Sequence, residues 1–334
     1  MDRLFPLTNA GRLLPALIAC LGMVAEVRAD QAPPFPTDPN VWINSGPLSV
    51  SGLKGKGIIL YFFEEDCPKC RARWPELIEA AKMMEGKPVV FIAVNSGNPR
   101  GKIQGYVQQV KVPWPVLVDP LREFERACGL IPVISLTNIH QIRYIKADGE
   151  IQPGFTDDLE VTADKAVEGA EWKVDPESIP DALKAAWWAV ETGNYKGIAA
   201  TLKKSNSSSK KDVKEAAAKL MEVAQKEIDD LMTKVTEAHD GANPYKAFEL
   251  LTELSEQFNG FELPKETVTL KKELTKDPKV KAGQAAAKNL EFARKQMASG
   301  NPGLVAKSKT TLEKIVADFP DTNLAQQAQG LIEQ

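Results

Sequence analysis

The feature that most constrains this chain is a continuous apolar segment followed directly by two closely spaced cysteines. Ile58 to Phe63 form an unbroken apolar run, which is typical of a strand buried on both faces. Cys67-Pro68-Lys69-Cys70 follows it. From Lys69 to Met84, apolar side chains recur every three or four residues, which predicts a helix. The cysteine pair is therefore expected where a buried strand turns into a helix.

This position predicts different roles for the two cysteines. At a helix N-terminus, the unpaired backbone N–H groups and the helix dipole favour a thiolate. The two-residue spacing lets the thiol of Cys70 reach Cys67, so that the pair can form a small reversible disulfide. We therefore predict that Cys67 is the nucleophile and Cys70 the resolving thiol.

Charged residues flank the pair and act in opposite directions. Glu64-Glu65-Asp66 lie before it, whereas Lys69, Arg71 and Arg73 lie within or after it. Positive charge favours a thiolate at Cys67, and negative charge opposes it. The sequence leaves open which of the two influences is larger.

The segment from Ile58 to Met84 resembles the active-site segment of thioredoxin-like proteins. Pro75 lies eight residues after Cys67 and matches the helix-kinking proline of that family. Trp114 to Asp119 are similar to a stretch found in extracytoplasmic thiol-disulfide oxidoreductases of the TlpA-like and peroxiredoxin-related groups. The resemblance implies a thioredoxin fold and dithiol–disulfide exchange, with the catalytic pair Cys67 and Cys70 and the supporting residues Pro68, Lys69, Pro75 and His140.

His140 enters this set because the chain departs from the family at two positions. Asp66 stands where the family usually carries a tryptophan, and counting back from Asp148-Gly149 places the family's cis-proline position at His140. We hypothesise that His140 lies beside the pair, either as a proton acceptor for Cys70 or as a third ligand for copper or zinc. The alternative is a partly buried strand histidine that only bonds to its neighbours.

Two further roles stay open for the cysteine pair. It could be a static disulfide in a noncatalytic thioredoxin-like adaptor, or it could handle copper together with His140. A four-cysteine zinc site is not expected, because the chain has no second pair of this kind. Cys128 is predicted to be a small buried apolar residue, with a second disulfide as its alternative. We expect no bound cofactor.

Strand and helix patterns alternate through the rest of this region. Val89 to Val94 predict a second buried strand, and Lys102 to Val110 predict a short helix. Ile139 to Lys146 and Glu150 to Pro153 predict a strand hairpin joined at Asp148-Gly149. This order indicates a mixed α/β sheet with flanking helices.

Strand signals disappear after about Pro180. Apolar residues step by three or four from Val213 to Val235, which predicts one long amphipathic helix. Shorter helices are expected at Tyr245 to Phe258 and Ser308 to Phe319, and Ser205 to Lys211 is expected to be a solvated loop. We predict an all-α helical-hairpin domain that weakly resembles tetratricopeptide-type arrays but lacks their regular period.

These patterns divide the chain into four segments. Residues 1–29 are predicted to be a signal peptide and residues 30–44 a linker or lead-in. Residues 45–175 are predicted to form the thioredoxin-like domain, and residues 180–334 the helical domain. Trp187 and Trp188 are expected in the core or at the domain interface.

The first residues have the layout of a secretory signal. Arg3 and Arg12 precede the apolar run from Leu13 to Ala25, which ends near Val27-Arg28-Ala29. Cys20 also fits the position of a lipid-modified cysteine, which is the less favoured interpretation. Either layout predicts an extracytoplasmic protein, periplasmic or secreted, with no transmembrane span in the mature chain.

Overall charge bears on the choice of partner. The chain has 42 basic and 45 acidic residues, and its formal net charge is −3. The chain as a whole therefore has no positive electrostatic field that would attract nucleic acid, and nucleic acid is not expected as a partner. The predicted partners are protein disulfide or dithiol clients, a redox partner protein, and a protein bound by the helical domain.

Overall fold

The computed structural model describes residues 31–130, 141–155 and 157–332. Its described residues form one six-stranded sheet in the order β1-β4-β3-β2-β5-β6. The strands are β1 (Trp42–Ile43), β2 (Gly57–Phe63), β3 (Val89–Ser96), β4 (Val116–Asp119), β5 (Gln141–Ile145) and β6 (Ile151–Pro153).

The sheet is mixed because β2 has one parallel and one antiparallel neighbour. Gly57 to Phe63 pair in parallel with the strand that begins at Val89, and Tyr61 lies opposite Ile142 of the antiparallel β5. Every residue of β2 and β3 is buried. The mixed sheet and its two fully buried strands agree with the sequence prediction.

Helices cover both faces of the sheet. They are α1 (Pro68–Met83), α2 (Arg100–Val110), α3 (Glu123–Ala127) and α4 (Leu159–Ala166). Side chains of β2 alternate between the faces. Ile59, Tyr61 and Phe63 pack with α1, α2 and α4 in one core. The intervening residues pack in a second core that contains Phe124 of α3.

The described part of the predicted linker or lead-in belongs to the sheet. Phe35 and Trp42 are buried, and β1 pairs with β4. The Trp42 indole N–H donates to the Pro36 carbonyl at 2.8 Å. The ring of Phe35 lies 5.4 Å from that of Phe124. The described residues of this segment therefore contribute one strand to the sheet and two large aromatic side chains to the second core.

The second half of the described chain is helical. Its helices are α5 (Lys184–Glu191), α6 (Ala199–Asn206), α7 (Lys211–Asp240), α8 (Pro244–Gln257), α9 (Glu266–Leu274), α10 (Pro278–Ala298), α11 (Pro302–Asp318) and α12 (Asn323–Ile332). They share one apolar core. The stripe of α7 is buried along its length, including Leu220, Ile228 and Val235. The long amphipathic helix is thus confirmed.

Side-chain caps determine where several of these helices begin. Asn243 and Asn301 each accept backbone N–H groups of the following turn, and each precedes a proline at the first helical position. Asp277 does the same for α10. Proline is tolerated there because the first N–H groups have no partner within the helix. The loop predicted at Ser205 to Lys211 is shorter than expected, because α6 extends to Asn206 and α7 begins at Lys211.

Buried contacts join the sheet to the helical region. Lys56, directly before β2, forms a 2.7 Å ion pair with Glu191 of α5, and both side chains are fully buried. Gly193 adopts a φ of +68°, and a Cβ atom there would lie 2.6 Å from the Cα of Gly52. Trp188 packs against the second core of the sheet and Trp187 against the helical core. The two tryptophans therefore lie at the interface, as expected.

No helix in the described ranges has the length and apolar character required to cross a bilayer.

Candidate active site

The cysteine pair lies at the N-terminus of α1. Cys67 is the N-cap residue, with extended backbone angles, and Pro68 follows at the first helical position. The Cys67 Sγ accepts a hydrogen bond from the Cys70 backbone N–H at 3.1 Å. A donor therefore already points at the sulfur that would carry negative charge, as the strand-to-helix position predicts.

Both sulfurs are largely removed from solvent. Cys67 is 3% exposed and Cys70 is 0% exposed. Burial raises the pKa of the Cys70 thiol to about 12, and a hydrogen bond with Cys67 adds to this rise. The Cys70 thiol therefore stays protonated at neutral pH, which suits a thiol that acts second.

The acidic residues before the pair are each matched by a cation. Glu64 forms an ion pair with Arg122. Lys102 of α2 pairs with Glu65 and with Asp66, at 2.6 Å in both cases. These contacts offset the negative charge that faces Cys67. The sequence left the balance of charges open, and the structure adds two cations that are distant in the chain, Lys102 and Arg122.

Glu65 is the centre of a polar cluster that sequence reasoning missed. Its side chain is buried and accepts hydrogen bonds from the Asn95 amide at 3.1 Å and the Asn98 amide at 2.9 Å. The Asn95 amide also donates to the Phe63 carbonyl at 3.2 Å. The end of β2 is thereby fixed to β3. The signal available in the sequence was an asparagine within a buried apolar strand.

Aromatic side chains form a dry shell beneath the sulfurs. The Trp74 ring lies edge-on to Tyr61 and to Phe63, with both centroids at 5.2 Å. Its indole N–H donates to the Tyr106 hydroxyl at 3.0 Å. Trp74 follows Cys70 by one helical turn, so its position on the buried face of α1 also holds Cys70 inward.

The basic residues around the pair have separate contacts. The Arg71 guanidinium lies 4.9 Å above the Tyr106 ring, and Arg73 is 3.9 Å from the Asp157 carboxylate. Lys69 is exposed in the first turn of α1. Pro75 lies inside α1, where it lacks the N–H that would bond the Arg71 carbonyl.

Cys128 is separated from the pair by the sheet. It is 5% exposed and belongs to the second core, whereas Cys67 and Cys70 belong to the first. Its role as a small buried residue is confirmed. A disulfide between Cys128 and the pair would have to pass through the sheet.

The predicted third member of the site, His140, lies outside the described residues. Within those ranges, no group of three or more histidine, cysteine, aspartate or glutamate side chains could hold a metal ion. The copper or zinc hypothesis therefore depends entirely on His140.

Burial of Cys70 gives a test of its chemistry by alkylation. In a Cys67→Ser variant, the rate of Cys70 modification by iodoacetamide should keep rising from pH 7 to 10, because the raised pKa keeps the thiolate fraction low. When the same variant is unfolded in guanidinium chloride, the modification rate should level off near the ordinary cysteine pKa of 9.0. A plateau near pH 9 in the folded protein would contradict the assigned environment.

The sequence of this chain is similar to one known protein family and to several thiol-disulfide oxidoreductases. Residues 29–152 match the AhpC/TSA family. Thiol-disulfide oxidoreductase ResA of Bacillus subtilis is 28% identical over 90 residues, which cover 27% of this chain and 50% of that protein. ResA of Halalkalibacterium halodurans is 29% identical over 95 residues, which cover 28% of this chain and 54% of that protein. The chain thus spans about half the length of these relatives.

The similarity to solved structures extends over about two fifths of this chain. A thioredoxin-family thiol:disulfide interchange protein from Chlorobium tepidum is 22% identical, with a TM-score of 0.35, over 41% of this chain and 97% of that one. A secreted Mycobacterium tuberculosis disulfide oxidoreductase is 19% identical, with a TM-score of 0.30, over 39% and 96%. The similarity of this chain to the AhpC/TSA family thus extends over residues 29–152.

Proposed function

We propose that this protein exchanges dithiols and disulfides through Cys67 and Cys70. The observation that carries the proposal is the Cys67 sulfur at the N-terminus of α1, 3.1 Å from the Cys70 backbone nitrogen. Two relatives with similarity to part of this chain are named thiol-disulfide oxidoreductases, which supports this chemistry.

In the reducing direction, the Cys67 thiolate attacks one sulfur of a client disulfide. A Cys67–client disulfide forms, and the other client sulfur leaves as a thiolate. Cys70 then loses its proton and attacks the Cys67 sulfur, which releases the second client thiolate and leaves a Cys67–Cys70 disulfide. The client gains two electrons and the pair loses two. The same steps in reverse oxidise a client dithiol.

The exposed residues around the pair make the first contact with a client in this proposal. Asp66, Pro68 and Lys69 are exposed, whereas Cys67 is nearly covered. Pro68 has a fixed φ that starts α1, and Pro75 frees a backbone carbonyl in the same helix. His140 remains a proposed proton acceptor for Cys70.

We further propose that the thioredoxin-like domain spans residues 45–175 and that the helical domain, residues 180–334, binds a protein partner. Consecutive helices such as α7 with α8 and α10 with α11 pack as pairs, which resembles tetratricopeptide-type arrays. The signal layout of residues 1–29 supports an extracytoplasmic setting, where a client and a redox partner protein would meet the pair.

A peptide-disulfide exchange assay tests the proposed activity. Wild-type protein, reduced and freed of metal by a chelator, should reduce the disulfide of a model peptide at a rate proportional to protein concentration. The Cys67→Ser/Cys70→Ser double variant is the control. Equal rates for the two proteins would remove the enzymatic function and leave a static disulfide or copper handling as the role of the pair.

A further inference from the structure

Tyr61 carries a buried hydroxyl group that the exchange steps above do not use. Its side chain is 0% exposed, and no described residue forms a hydrogen bond with the hydroxyl oxygen. Buried polar groups in folded proteins are almost always paired, and an unpaired one calls for an explanation such as a catalytic role. The neighbouring Tyr106 differs, because its hydroxyl accepts the Trp74 indole N–H.

Tyr61 lies on β2, on the face that packs against α1, and shares one core with Cys67 and Cys70. Its ring is edge-on to Trp74 at 5.2 Å, and Trp74 follows Cys70 by one turn on the same helix face. Across the sheet, Tyr61 lies opposite the apolar residues Ala93 and Ile142.

We propose that the Tyr61 hydroxyl is a donor held ready for the Cys70 thiolate. In the dithiol state, Cys70 is protonated and the hydroxyl of Tyr61 has no acceptor among the described residues. When Cys70 loses its proton to water or to the departing client thiolate, its sulfur becomes a strong acceptor in a dry environment. Tyr61 then donates a hydrogen bond to that sulfur and keeps its own proton. This assignment rests on the proposed exchange activity.

The electrostatic surroundings are consistent with this role. Burial is the main cause that raises the pKa of Tyr61, and Cys70 is the largest charged contribution after it. Tyr61 therefore remains a neutral donor throughout the physiological pH range. Among the described residues, the other titratable groups facing this space are Arg73 of α1, its N-cap residue Cys67, Tyr106 of α2, and Glu64 before α1.

The second exchange step can be isolated with Ellman's reagent. Attack of Cys67 on the reagent releases one thionitrobenzoate and leaves a second joined to Cys67. Cys70 then displaces this second group at a rate that depends on its thiolate fraction. Stopped-flow absorbance from pH 6 to 9 resolves the two releases in metal-free wild-type protein and in Tyr61→Phe.

In Tyr61→Phe, the second release should slow by at least about tenfold at pH 7, the factor expected for one hydrogen bond to a charged acceptor. The first release should be unchanged. Tyr144→Phe, which alters another buried tyrosine of the same core, should leave both releases at wild-type rates. A Tyr61→Phe variant with an unchanged second release would overturn the proposal.

A direct titration provides an independent measurement. The thiolate absorbance of Cys70 is titrated against pH in the Cys67→Ser variant. Its midpoint should lie at a higher pH in the double variant Cys67→Ser/Tyr61→Phe. Reduced Tyr61→Phe should also be as stable as wild type, because the removed hydroxyl has no partner in that state. If Tyr61→Phe lowers the stability of the protein but does not shift the pH midpoint of Cys70, the role of the Tyr61 hydroxyl is purely structural. If wild type releases no thionitrobenzoate beyond the first, the exchange function itself fails, whatever Tyr61 does.

Discussion

Replacing Cys67 with serine is expected to lower the rate of disulfide exchange by more than about a thousandfold, because removal of a covalent nucleophile abolishes the step that it performs. The fold should be unaffected. Serine is close to cysteine in size, and its hydroxyl can still accept the Cys70 backbone N–H that now bonds to the sulfur at 3.1 Å. Peptide-disulfide exchange and circular dichroism measure these two expectations.

Cys70→Ser provides the matched control for this variant. It should still attack a client disulfide through Cys67 but should accumulate the mixed disulfide, which mass spectrometry of acid-quenched protein detects. Cys67→Ser should form none. If Cys70→Ser forms no adduct while Cys67→Ser does, the roles of nucleophile and resolving thiol are reversed.

The strand, cysteine pair and helix could be predicted because their signals are local. A continuous apolar run defines β2, and the spacing of Trp74 and Leu77 defines the buried face of α1. Both patterns depend on neighbours within a few residues, where the periodicities of strand and helix apply directly. The same holds for the stripe along α7.

The electrostatic setting of Cys67 could not be predicted in the same way. The charges of Glu64, Glu65 and Asp66 are plain in the sequence, but their partners Lys102 and Arg122 come from α2 and from the residue before α3. Sequence order does not show which cation reaches which carboxylate. Such pairing depends on how β3 and β4 place the segments that follow them beside the end of β2.

The helical region contacts the sheet at points that only the three-dimensional structure reveals. Arg294 of α10 pairs with Glu123 of α3 at 2.8 Å. The neighbouring Arg122 binds Glu64, three residues before Cys67. The short helix α3 and its N-cap residue Arg122 therefore contact both the helical region and the approach to the cysteine pair.

Lys56 and Glu191 form a fully buried ion pair between the two regions, and Lys56→Met is expected to destabilise the protein by about 3 kcal/mol. The substitution leaves the Glu191 carboxylate buried without its cation. Two backbone N–H groups, from Lys173 at 3.0 Å and Val174 at 2.8 Å, still bond to it. These two hydrogen bonds keep the expected loss of folding free energy near the lower end of the range for broken buried ion pairs.

Lys146→Met is the matched control for this substitution. Lys146 forms a pair of the same 2.7 Å length with Glu150, but its side chain is 31% exposed. Solvent screens such a pair, so its loss should change the free energy of unfolding by less than about 1 kcal/mol. Urea denaturation followed by tryptophan fluorescence measures both variants, since Trp172 and Trp187 lie near Lys56 and at the interface.

The double variant Lys56→Met/Glu191→Gln separates the charge from the packing. Glutamine keeps an oxygen for the N–H groups of Lys173 and Val174 but carries no charge, so the double variant should be more stable than Lys56→Met alone. If it is less stable than the single variant, the cost arises from lost packing of the lysine stem and not from an unpaired carboxylate. If Lys56→Met matches Lys146→Met, the pair does not hold the sheet and the helices together, and the fixed contact between them must come from Gly52, Gly193 and Trp188 instead.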